Sequence, residues 1–181
     1  MIPTNVAEWI ERPVKPLFGN TDVTIDDKNR LQIPADLRRA MDPEADGSAF
    51  YVVPGTNEKP WLWPERLYEK MAAAAFSNEF APEEDDQAYI EMNFGMAFRV
   101  ELDKQGRILL PDKWMKKQDL GREVTIVGKF DHAEIWPRAV WAAREEELLS
   151  RRKEIAFRVK QRQETEKAAD AREPKRPSTD G

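Results

Sequence analysis

Apolar and polar residues alternate with period two on either side of a polar turn at residues 26–30, where Val23 and Ile25 lead in and Leu31 and Ile33 lead out. Successive side chains of a strand point to opposite faces, so this pattern predicts a half-buried β-hairpin. It returns with Phe98, Val100 and Leu102 before a second turn and Ile108 and Leu110 after it. Such turns need a residue that tolerates positive φ. Gly106 supplies it in the second copy, and Asn29, from the residue type most tolerant of that region after glycine, takes the place in the first.

Each predicted hairpin runs into a proline suited to the first position of a helix, giving helices near Pro34 to Met41 and Pro111 to Leu120, the latter stopped by Gly121. Strands then follow at Phe50 to Val53 and Val124 to Val127, with turns at Gly55 and Gly128 and further strands ending in Trp63 and Trp136. Pro64 and Pro137 open second helices, Glu65 to about Phe76 and Arg138 onward. The repeat unit is hairpin, helix, strand, strand, helix, and it occurs twice. Trp63 and Trp136 hold equivalent strand ends and are expected in the core.

The duplication sets the expected organisation: an N-terminal arm over 1–17, a first domain over 18–76, an acidic linker over 77–91, a second domain over 92–145, a charged helix over 146–172 and a disordered tail over 173–181. The linker assignment follows from its acidic residues, the lack of aliphatic periodicity in 77–87, and Pro82. Past Trp141 the helix continues, with Leu148 and Ile155 each seven residues on. That narrow apolar stripe fits a helix lying along its own domain or one lying between subunits.

Composition narrows the function. The chain has no apolar run of the roughly 20 residues a membrane helix needs, and its N-terminus lacks a signal-like apolar stretch, so a soluble, cytoplasmic protein is expected. With no cysteine and a single histidine, His132, disulfides are excluded and a transition-metal site is not expected. His132 reads as an exposed loop residue. The net charge of −5 argues mildly against a nucleic-acid partner, but it is unevenly spread, since residues 151–181 carry ten Lys/Arg against six Asp/Glu. No catalytic constellation or phosphate-binding glycine loop is present, and no cofactor or small-molecule substrate is expected.

The two turns carry the candidate chemistry: Ile25-Asp26-Asp27-Lys28-Asn29-Arg30 and Leu102-Asp103-Lys104-Gln105-Gly106-Arg107, each followed by aliphatics and a proline. An arginine where a turn meets its outgoing strand can present a planar fork to a guanine edge or to phosphate oxygens. It can equally well pair with the aspartate across the turn. Repetition of the same pair in two otherwise divergent halves favours a shared function.

These residues resemble the MraZ family, whose members carry an Asp, Gly, Arg, aliphatics and Pro pattern in each half. The second half matches through Asp103, Gly106, Arg107, Pro111, Gly128 and Glu134-Ile135-Trp136; the first through Asp26, Lys28, Arg30, Pro34, Leu37 and Arg38. The resemblance covers roughly 18–145. It implies an α+β fold with a mainly β core: tandem duplicated SpoVT/AbrB-like swapped-hairpin (double-psi-type) β-barrel domains with short helices and an extended C-terminal helix. It also implies a nucleoid-associated transcriptional regulator, assembled as a homo-oligomeric ring, that binds double-stranded DNA at short tandem repeats in the promoter of the division and cell-wall gene cluster. Arg30 and Arg107 would then contact DNA with Lys28 and Lys104 beside them, while Asp26, Asp103, Asn29 and Gly106 orient and shape the turns. The sequence departs from the family pattern at Asn29, where glycine is usual, and at Met115, where a basic residue is usual. The alternative from another class is an oligomeric scaffold that kept the fold, lost specific DNA binding and works through its charged helix.

Overall fold

The computed structural model describes residues 16–75, 84–118 and 120–170. Most of the expected arm, part of the expected linker and the expected tail lie outside the described residues. The chain divides into two compact units, residues 1–141 and 142–181. All the described strands belong to the first.

That first unit runs β1 (Asn20–Thr24), β2 (Arg30–Gln32), α1 (Ala35–Ala40), α2 (Pro43–Asp46), β3 (Ala49–Pro54), β4 (Pro60–Pro64), α3 (Glu65–Ala75) and α4 (Glu84–Ile90). A π-helical turn at Glu91–Gly95 leads to β5 (Phe98–Glu101), β6 (Arg107–Leu109), α5 (Asp112–Gln118), β7 (Glu123–Gly128), β8 (Ala133–Pro137) and the start of α6 (Arg138–Ser150). A six-stranded sheet has the order β1-β7-β8-β4-β3-β5, and β2 and β6 form a separate two-stranded sheet, all neighbours antiparallel. This is the expected mainly β, tandemly duplicated α+β architecture.

The strands occur where the alternation predicts them, but their partners differ from those of simple hairpins. The arms around the first turn meet only at the Ile25↔Leu31 bridge and then part. β1 pairs with β7 of the other half and β2 with β6 of the other half, while β5 of the second half joins β3 of the first. Period-two alternation fixes which face is buried and says nothing about which strand lies alongside. Swapping brings Leu31 and Ile108 opposite each other at 0% and 1% exposure, inside one core that draws on both halves. The two repeats are therefore units of sequence that interlock in space.

Two satellite clusters repeat the internal symmetry. Val53 and Trp63 of the sheet cluster with Leu67 and Tyr68 of α3, and Val127 and Trp136 cluster with Trp141 of α6. Both tryptophans expected in the core are buried. The first residues of these helices also pin the two sheet edges, with inverted charge. Glu65 accepts from Arg99 Nε of β5 at 2.6 Å, and Arg138 Nη2 donates to the Val23 carbonyl of β1 at 3.1 Å.

Local chemistry shifted some boundaries. Pro34 caps α1 from an extended conformation rather than opening it as the first helical residue. The short α2 has no apolar periodicity and forms because Asp42 Oδ1 accepts from the Glu44 amide at 3.0 Å, with Pro43 at the first position. Residues 84–90 of the expected linker are helical. His132 is the clearest correction: its ring packs against both Trp61 and Trp63, each with its centroid 4.6 Å away, and its side chain is 12% exposed. Burial works against its charged form, but Asp131 and Glu134 outweigh it and raise its pKa.

The second unit contains the rest of α6 and α7 (Arg152–Asp170). Backbone bonds from Arg151 N to Glu147 O and from Ile155 N to Arg151 O carry the helical path across the joint. Ion pairs at helical spacing line it, including Arg144 to Glu147 at 2.6 Å and Arg151 to Glu147 at 2.8 Å. Leu149 and Phe157 are exposed. No helix among the described residues is long and apolar enough to cross a membrane.

Candidate nucleic-acid interface

The two polar turns fold through the same set of hydrogen bonds. In the first, Asp26 Oδ1 accepts from the amides of Lys28 and Arg30, both at 2.9 Å. In the second, Asp103 Oδ1 accepts from Gln105 at 2.8 Å and Arg107 at 2.9 Å. A four-residue turn is closed in each by Asn29 N to Asp26 O and Gly106 N to Asp103 O, both at 2.9 Å. Asn29 has φ +57° and Gly106 φ +77°, so asparagine does adopt the backbone conformation glycine supplies in the other copy.

Each aspartate then holds its arginine. Arg30 Nε donates to Asp26 Oδ2 at 2.6 Å, with Nη2 at 2.6 Å from the same oxygen; Arg107 does likewise to Asp103 Oδ2 at 2.9 and 2.8 Å. Nη1 takes no part in either pair. The amides of Arg30 and Arg107, together with the guanidinium bonds, hold both carboxyls below the usual aspartate range. Pairing across the turn is thus real, and it fixes the guanidinium planes at the surface, where the side chains remain 34% and 26% exposed.

The β2–β6 ladder sets the turns side by side. Ile33 N donates to Gly106 O at 3.0 Å, and Leu110 N donates to Asn29 O at 2.9 Å, so each outgoing strand closes on the other turn. Register places Arg30 opposite Leu109 and Gln32 opposite Arg107. Cross-strand partners share a face, and so do residues two apart along a strand. Arg30, Gln32, Arg107 and Leu109 therefore occupy one outward face, and Leu31 and Ile108 the buried one. Two residues of strand separate the arginines, roughly 7 Å along the ladder.

All eight sequence-predicted residues lie on these two turns. Lys28 and Lys104 are exposed, but they are not equivalent: Lys28 matches Gln105 in hydrogen bonding, and Asp27 stands where the second turn has Lys104. Several neighbours were not legible as site residues. Gln32 Nε2 donates to the carbonyls of Gln105 at 3.1 Å and Gly106 at 3.0 Å. The Arg38 guanidinium lies over Gly106, where a Cβ would fall 2.7 Å from Cζ. Arg122 Nη1 donates to the Asp26 carbonyl and to Asn29 Oδ1, and Asn29 Nδ2 donates to Asp112 Oδ1. Arg38 carried a signal through its place in the family pattern; Arg122 and Asp112 come from the distant half and carried none.

Comparison with known proteins finds relatives across both halves. The family model described as "MraZ protein, putative antitoxin-like" matches residues 17–89 and 93–163, one segment for each half. The chain is 36% identical over 124 residues to a protein of Moorella thermoacetica named "Transcriptional regulator MraZ", covering 68% of this chain and 82% of that one. It is 35% identical over 146 residues to the protein of the same name from Thermomicrobium roseum, covering 78% and 96%. A third protein of that name, from Carboxydothermus hydrogenoformans, is 33% identical over 128 residues. With the family model matching both halves and relatives above 30% identity covering more than two thirds of it, the chain belongs to the MraZ family.

Proposed function

We propose that this protein is a sequence-specific DNA-binding transcriptional regulator that reads short tandem repeats with its two Asp-to-Arg turns. The observation that carries the reading is the shared outward face of the β2–β6 sheet. Two preoriented guanidinium groups with spare nitrogens lie there at a spacing of about two base-pair steps, each of which rises about 3.4 Å. Arg30 and Arg107 contact base edges or phosphates, and exposed Lys28 and Lys104 contact the backbone. The target is the promoter of the division and cell-wall gene cluster, and the site of action is the nucleoid in the cytoplasm.

A homo-oligomeric ring makes an acidic chain workable as a DNA binder, because a few cations per subunit act together while negative charge elsewhere limits nonspecific contact. The test is fluorescence anisotropy of the purified protein on the DNA upstream of its own gene across a salt series. Tight binding that weakens steeply with salt and is lost in Arg107→Ala supports the reading; binding indifferent to Arg30→Ala and Arg107→Ala sinks it. The second reading, a scaffold acting through the charged helix, draws on the exposed Leu149 and Phe157 of that helix. Deleting 146–181 separates the two, since DNA binding survives under the first and partner binding is lost under the second.

A further inference from the structure

The first turn is completed by the other half of the chain in a way the second turn is not. At the second turn, the Arg38 guanidinium covers Gly106, and its Nε donates to the Ile33 carbonyl at 3.1 Å. The repeat offset that relates Asp26 to Asp103 relates Arg38 to Met115 and Gly106 to Asn29. The first turn thus lacks the covering arginine and has a side chain at its apex instead. That side chain is bonded at both ends, its amide nitrogen donating to Asp112 and its oxygen accepting from Arg122 at 3.1 Å.

Charge points the same way. With Asp27 where the second turn has Lys104, the first turn's own ionised residues cancel, two aspartates against Lys28 and Arg30, whereas those of the second leave one positive charge. Arg122 is exposed, and its Nη1 rests on the Asp26 carbonyl while Arg30 rests on the Asp26 carboxylate. Two guanidinium groups therefore converge on one aspartate. Arg122 uses a single nitrogen for both its bonds, which leaves Nε–H and Nη2 as the fork that grips two phosphate oxygens.

We propose that Arg122 is a further phosphate-contacting residue of the first turn, aimed by Asn29 and Asp112. This rests on the DNA-binding reading above. In this arrangement Asn29 does not contact bases; it positions Arg122, and the first turn has a cation from the second half where the second turn has Arg38 from the first.

The experiment is a salt series of anisotropy measurements on the same upstream duplex with wild type, Arg107→Ala, Arg122→Ala, Arg122→Lys and Asn29→Gly. Losing one phosphate contact flattens the slope of log K against log salt by about 0.9 and weakens binding about fivefold near 0.15 M salt, for each turn engaged. Arg122→Ala is expected to show that loss with unchanged discrimination between the repeat and a scrambled duplex. Arg122→Lys, which keeps the charge, retains most of the slope, and Asn29→Gly gives an intermediate loss. A slope in Arg122→Ala equal to wild type, with Arg107→Ala defective in the same series, overturns the inference alone. Equal losses in Arg122→Ala and Arg122→Lys also overturn it, because the residue would then act by holding the turn rather than by charge. A wild-type chain that does not bind the duplex overturns the functional reading itself, and the inference with it.

Discussion

The two turns share a backbone and differ in what leans on them. The same donors and acceptors recur from Asp26 to Asp103, and each turn closes on the strand that leaves the other. Around them the symmetry fails: Arg38 lies over Gly106, whereas Asn29 is tied to Asp112 and Arg122. By the repeat offset, the two departures from the family pattern at positions 29 and 115 correspond to Gly106 and Arg38, which lie against each other at the second turn. At the second turn a side chain at the apex would occupy the space the Arg38 guanidinium takes. The geometry that fixes Arg30 and Arg107 tolerates no such change, because each aspartate is used in four hydrogen bonds or ion pairs within its own turn.

The largest expected effect removes the comparison altogether. Leu31 and Ile108 are opposite each other beneath the ladder, and Leu31→Ala or Ile108→Ala is expected to cost about 3 kcal/mol from lost burial and the cavity left behind. Both turns should loosen together in either variant, seen as a lower urea midpoint and faster amide exchange at residues 26–30 and 103–107 alike. Exchange rising at one turn only would show that the halves are less interlocked than the ladder implies.

A smaller effect separates the turns. Gly106→Ala places a side chain at φ +77° and 2.7 Å from the Arg38 guanidinium, and is expected to cost about 1 to 2 kcal/mol with displacement of Arg38. The reciprocal Asn29→Gly relieves the same backbone conformation while losing two exposed hydrogen bonds, so its stability should change by less than about 1 kcal/mol. Denaturant titration of the pair measures the asymmetry directly, and equal costs would contradict it.

The smallest effect at neutral pH is a matched one. Both turn carboxyls titrate below the ordinary aspartate value of about 3.9. A depressed folded pKa contributes stability that is present above the unfolded value and lost as pH falls through the folded one. Melting temperatures taken from pH 6 down to pH 2 should therefore drop below about pH 4, and Asp26→Asn and Asp103→Asn should each remove a similar share of that drop. Shares that differ widely would mean that Arg122 or Arg38 adds to one carboxylate's field.

Much of this was legible in the chain. Repetition of an Asp and an Arg four apart identified both turns, and a carboxylate with amides two and four residues on needs no tertiary help to bond them. The strands and the buried faces of Leu31, Ile33, Ile108 and Leu110 followed from alternation. The starts of α1, α3, α5 and α6 followed from proline, whereas α2, which depends on one cap, and α4, within the expected linker, did not. His132 could not be read correctly, because its environment comes from Trp61 and Trp63 of another strand pair.

By itself, then, the sequence determined a duplicated unit, its strands, its two arginine turns and the residue with positive φ in each, since all of these rest on bonds and periodicities spanning a few residues. Only the tertiary structure decided that β1 and β2 leave their own hairpin for strands of the other half, that Arg30 and Arg107 share a face, and that Arg122 rather than a residue of the first repeat completes the first turn. Pairing between strands is chosen by how well two distant apolar faces fill one core, a property of the folded whole that no short window of residues contains.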